Sequence, residues 1–158
     1  RRRHTRFKCD WSSDVCSSDL KENTVITNFQ PHFHLRGKAM QVEAIMPDGR
    51  TEVISYVDNF NFNWMTNYIF AEEATPAFPK GTIIHVTAFY DNTKSNKNNP
   101  DPDQWVGYGD RTVDEMAHAW MNIYYLTDAE YQEWLSKHGG KPGLPKLPTQ
   151  TTQQQQQQ

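Results

Sequence analysis

MAHAWMNIYY, residues 116–125, alternates with period two: Ala117, Ala119, Met121 and Ile123 fall on one side, and Met116, His118, Trp120 and Asn122 on the other. Successive side chains of an extended strand point to opposite faces, so this run reads as a strand with one face in a core. Five further runs rich in β-branched, aromatic or alternating residues share that character: 24–29, 40–46, 51–57, 64–70 and 82–90. Pro47-Asp48-Gly49 and Pro79-Lys80-Gly81 supply turns between them. Six short strands broken by Gly, Pro and Asn loops predict an all-β fold, an antiparallel β-sandwich of the jelly-roll type.

Outside the strands, 92–104 (NTKSNKNNPDPDQ) is a long polar loop with nothing to contribute to a core. Thr127, with Glu130 three residues on, is the signature of a capped helix start, so a short C-terminal helix is expected over 127–137. From 139 to 158 the chain turns rich in Pro and Gln and reads as a disordered tail.

Residues 1–20 differ from everything after them. DWSSDVCSSDL, residues 10–20, matches residue by residue the translation of a short-read sequencing adapter, so 1–20 is set apart as a library artefact and the domain is expected over 21–138. Both cysteines, Cys9 and Cys16, and one histidine, His4, lie in that stretch, so no disulfide framework is available to the domain. The whole chain carries 16 Lys and Arg against 19 Asp and Glu; setting aside five and three of these leaves 11 and 16, a net charge of −5. A mildly acidic domain with no basic cluster excludes nucleic acid and anionic membrane as partners on electrostatic grounds. No apolar run approaches the roughly 18 residues of a spanning helix.

Chemistry enters with QPHFHLRGKAM, residues 30–40. In an extended strand His32 and His34 point the same way with Cα atoms roughly 6.7 Å apart. Two imidazoles so spaced can share one metal ion, because metal–nitrogen bonds are only about 2.0–2.1 Å long. Met116, on the polar side of its strand, offers a thioether, and sulfur beside imidazole favours copper, above all Cu(I), over magnesium or calcium. His118, two residues on along the same side, is a candidate to support a ligand from behind or to take the place of one. His85 reads as an outward strand position, and His138 as a cation at a helix C-terminus. Asp114 and Glu115 have no nucleophile to pair with and read as a solvated strand entry or as hydrogen-bonding anchors of the loop. Trp64, Tyr68, Trp120, Tyr124 and Tyr125 read as core or interdomain packing.

PHFHLRGKAMQVEAIMPDGR, FNWMTNYIFAEE, PKGTIIHVTAFYDN, NPDP and GDRTVDEM, taken together, strongly resemble the C-terminal domain of copper type II, ascorbate-dependent monooxygenases, in particular their bacterial relatives. The peptidylglycine-hydroxylating and dopamine-hydroxylating enzymes belong to the same group. The likeness spans about 24–125, and its most specific parts are His-x-His and Asp-Glu-Met. It implies a jelly-roll β-sandwich in which His32, His34 and Met116 hold the substrate-side copper. It further implies that ascorbate or a similar reductant supplies electrons, that O₂ is activated to hydroxylate a C–H bond of a small organic substrate, and that the setting is extracytoplasmic. In that family a preceding sandwich binds a second copper, so the resemblance also implies a partner domain before Lys21.

Two other functions fit the residues. A non-catalytic jelly-roll binding module would keep the scaffold and make His32 and His34 incidental. A histidine-based metal-storage domain would use His32, His34 and His118 and have no need of Met116.

Overall fold

The computed structural model describes residues 4–7, 15–139 and 142–144 of the 158. Among the described residues ten strands form: β1 (His4–Phe7), β2 (Val15–Asp19), β3 (Asn23–Ile26), β4 (Asn28–Phe33), β5 (Gly37–Ile45), β6 (Thr51–Val57), β7 (Tyr68–Ile69), β8 (Ala77–Phe78), β9 (Ile83–Tyr90) and β10 (Ala117–Leu126). One helix, α1 (Asp128–Lys137), follows. All strand pairings between these elements are antiparallel. The strands build two sheets: β10 lies between β1 and the β3–β4 segment, which β7 and β8 flank, and the second sheet runs β2-β9-β5-β6. The expectation of an antiparallel β-sandwich with a short C-terminal helix is met.

One core fills the space between the sheets, drawn from the inward positions of both. Phe29, Phe33, Ala117, Ala119, Met121 and Ile123 face Met40, Val42, Ala44, Ile84, Val86 and Ala88. The alternation expected for β10 holds at each of its four core positions. A smaller cluster of Val25, Ala77, Leu126, Tyr131 and Leu135 forms where α1 lies over the outer face of the first sheet, at its β3 end. The helix starts as its sequence predicts: the Thr127 hydroxyl accepts from the Glu130 N–H, and the Glu130 carboxylate accepts from the Thr127 N–H at 2.8 Å.

β3 and β4 are one strand with a break at Thr27, and the break is held by polar groups. The Thr27 N–H donates to the Asn122 carbonyl at 2.9 Å, the Asn122 N–H donates to the Asn28 Oδ1 at 2.6 Å, and the Asn28 amide donates to Asn67 Oδ1 at 2.9 Å. The pairing against β10 steps by one residue there, from Ile123↔Ile26 to Trp120↔Gln30. A one-residue slip would send every side chain of β4 to the wrong face, so this clamp decides which residues reach the outer surface.

Two expectations need correction, both within the run 64–70. The run 64–70 is a strand only at Tyr68–Ile69. Before it the chain turns: Asn61 Oδ1 accepts from the Asn63 N–H at 2.9 Å, and the Asn61 carbonyl accepts from the Trp64 N–H at 2.9 Å, a local arrangement that competes with a ladder. Trp64, read as packing, is 75% exposed, and Tyr68 is exposed as well. The tail is partly anchored: Gly143 bridges Ala77, and the Leu144 N–H donates to Glu52 Oε2 at 2.8 Å; 140–141 and 145–158 lie outside the described residues. Within the segment set apart, β1 pairs along β10 and β2 along β9. Both sit on sheet edges, where unpaired N–H and C=O groups offer a template to an extended segment.

Gly37 tests how tightly the core meets the site. A Cβ there would overlap the Phe33 ring, which is fully buried between Phe60 and Tyr90, with centroids at 4.9 and 5.5 Å. Gly37→Ala is expected to cost about 1–3 kcal/mol, as overpacking does. Urea unfolding measures it, and an unchanged midpoint would mean that Phe33 has room to yield.

Candidate metal centre

β4 and β10 carry the two polar motifs to one place. His32 is the cross-strand partner of His118, and Gln30 of Trp120. Just beyond the end of β4, the His34 N–H donates to the Met116 carbonyl at 3.2 Å, bringing that pair level too. Their neighbours Pro31, Phe33, Ala117 and Ala119 are buried in the core direction, so Gln30, His32, His118 and Trp120 share the outer face, with the His34 ring beside them. The His32 ring stands 5.7 Å from that of His34 and 5.9 Å from that of His118, edge-on to both. Trp120 stacks on His118 at 5.3 Å with 12° between the planes.

Although it faces away from the core, this patch is covered. His34 and His118 are only 7% and 6% exposed. The cover consists of two loops. From one, Asp114 and Val113 lend backbone carbonyls to His34 and Arg36: His34 Nδ1 lies 3.0 Å from the Asp114 oxygen, and the Arg36 guanidinium donates to the Val113 oxygen. From the other, Met65 brings its sulfur to 3.2 Å from His32 Nδ1, and its carbonyl accepts from the Gln30 amide at 3.1 Å.

One of these contacts places a ring proton. A carbonyl oxygen only accepts, so His34 Nδ1 is the donor to Asp114. Donating Nδ1–H to a backbone carbonyl is how metal-binding imidazoles are commonly oriented. His32 is disfavoured as a cation: burial, and then the charges that His34 and His118 would carry, push its pKa below the usual imidazole value. The Asp114 carboxylate belongs to Arg111, which holds it below the usual carboxylate range, with Nη2–Oδ1 at 2.6 Å. Glu115 accepts from the Asn92 amide at 2.7 Å. Both acids anchor loops, one of the two readings their sequence allows.

The rings of His32, His34 and His118 are therefore neighbours, and Met116 meets this group through its backbone carbonyl at His34. His85 pairs with Glu43 at 3.2 Å on the second sheet, and His138 stacks on Trp134 and contacts its carbonyl at the end of α1. Met65 was missed. It sits 33 residues from His32 within a run that reads as a strand, and a methionine among aromatics carries no signal of its own. Among the described residues, no three His, Cys, Asp or Glu side chains stand close enough to hold one ion. The donors gathered here are instead imidazoles and thioethers, which suit soft, low-charge copper. Among the described residues, no helix is long and apolar enough to cross a membrane.

Neither a protein-family model nor a curated protein sequence matches the chain.

The depressed His32 pKa has a sign that can be measured on metal-free protein. Below about pH 6.5 the unfolded chain protonates this imidazole while the folded chain does not, so the unfolded state binds more protons. Stability is expected to be full above that pH and to decline as pH falls from it toward the folded value. Chemical denaturation between pH 7.5 and 5 should show a shallower decline for His32→Gln; equal slopes would mean that burial of the ring costs its charged form nothing.

Proposed function

We propose that this chain carries the copper-binding, substrate-side half of a copper-dependent monooxygenase, with His32, His34 and Met116 as ligands on a jelly-roll sandwich. The observation that supports it most is the gathering of the His32, His34 and His118 rings in one covered place, with His34 hydrogen-bonded to the Met116 backbone. Copper bound there would supply one-electron chemistry toward O₂, with an ascorbate-type reductant, for hydroxylation of a C–H bond.

The chain's own residues do the rest. His32 and His34 enter as neutral imidazoles, since a protonated ring has no lone pair to give. The Asp114 carbonyl fixes the tautomer of His34. The loops bearing Met65 and Asp114 keep water from the rings, and the Trp120 ring closes the face beside His118. A preceding domain with a second copper, a small organic substrate and an extracytoplasmic setting follow from the resemblance and belong to the same proposal. Storage on three histidines is less well supported, because the imidazoles do not converge on one point and the thioethers would have no part in it.

X-ray absorption on the Cu(I)-loaded whole chain tests the assignment, with Cys9 and Cys16 replaced by serine so that thiolate cannot masquerade as thioether. About two nitrogens and one sulfur are expected, and Met116→Leu should lose the sulfur while keeping the nitrogens. A nitrogen-only shell in both proteins, or no binding, would remove the chemical basis of the monooxygenase reading.

A further inference from the structure

We propose that Met65 is a positioning residue for His32: its sulfur accepts the Nδ1–H bond that fixes the imidazole in the tautomer whose lone pair lies on Nε2. The consequence for copper rests on His32 being a ligand, as proposed above; the tautomer itself does not.

The argument starts from what the two atoms can exchange. A thioether has no proton, so at 3.2 Å the ring nitrogen is the only possible donor. Which imidazole nitrogen keeps the lone pair is decided by the hydrogen bond the other one makes. With Nδ1–H committed to sulfur, Nε2 becomes the nitrogen able to bind a metal.

Met65 is also held in place independently of His32. Gln30, two residues earlier on the same face of β4, donates its amide to the Met65 carbonyl at 3.1 Å. Asn28 grips Asn67 at 2.9 Å, and Tyr68 and Ile69 pair with Phe29 and Asn28. Two alternate residues of β4, Asn28 and Gln30, thus fix the loop, and the next in the series, His32, meets the sulfur that they have delivered. Met65 packs half-buried against the main core, which limits the positions its side chain can take.

The two rings are then oriented by different loops and different acceptors. His34 answers to a carbonyl, a strong acceptor; His32 answers to a thioether, a weak one. His32 is the ring whose orientation a single side-chain change can release.

Nitrogen-15 NMR on the metal-free whole chain at pH 8 reads the tautomer directly. The wild-type protein is expected to show His32 protonated at Nδ1. Met65→Leu, similar in volume but without an acceptor, should move the His32 proton substantially to Nε2 and leave His34 unaltered. Met65→Gln, whose amide oxygen accepts, should restore it. An unaltered His32 in Met65→Leu overturns the proposal, and the steady His34 signal shows that the variant has folded. With Cu(I) as probe, in the cysteine-free background, Met65→Leu should bind roughly 10–100-fold more weakly while the number of sulfur scatterers stays the same. Loss of a sulfur in that variant would make Met65 a ligand and overturn the positioning role. If the tautomer responds but Cu(I) binds neither protein, the positioning of His32 stands and the copper reading falls.

Discussion

The hydrogen bonds that join Thr27 and Asn28 to Asn122 govern the rest of the molecule. They mark the point at which one long strand changes its pairing with β10, and everything on either side takes its face from that step. Beyond it, Val25 and Leu126 turn outward to receive α1, while Phe29 and Phe33 turn inward and His32 outward. The outer face of β10 is thereby divided: one end is roofed by a helix, and the other carries the imidazoles and the thioether.

Covering that second end with loops, and not with another helix, suits metal chemistry. A helix would present side chains and keep its carbonyls for itself, whereas an irregular loop has carbonyls to spare. The oxygens of Asp114, Val113 and Met65 all go to side chains of the β4 edge: His34, Arg36 and Gln30. Burial beneath those loops disfavours the charged form of His32, so the same cover that excludes water also favours the neutral nitrogen that a metal needs.

What the sequence could convey follows from how far each constraint reaches. The inward set Ala117, Ala119, Met121 and Ile123 was legible because period-two burial is local, and the Thr127–Glu130 cap because it spans three residues. The same parity put His118 on the face where it meets His32. It could not say that His118 would be nearly inaccessible, since depth depends on loops distant in the chain. The run 64–70 misled because Trp64, Tyr68 and Ile69 have strand-forming side chains, while its course is set by Asn61 and Asn67, whose amides bond their own turn and β4. Met65 was illegible for the same reason: its significance lies in contacts with Gln30 and His32 that no spacing rule connects to it.

The antiparallel register also has a mechanical side. Asn23 and Leu126 are partners at one end of the β3–β10 pairing, and the chain leaves both of them at that same end. Tension between the two exits would therefore peel the strands apart one rung at a time, and would not shear the whole ladder at once. The first load falls on the Asn23–Asp128 hydrogen bond, 2.8 Å, at the head of α1. The rung joining His32 to His118 lies on the far side of the Asn28–Asn122 clamp, so under a pulling force the imidazoles would be among the last groups on this strand to part.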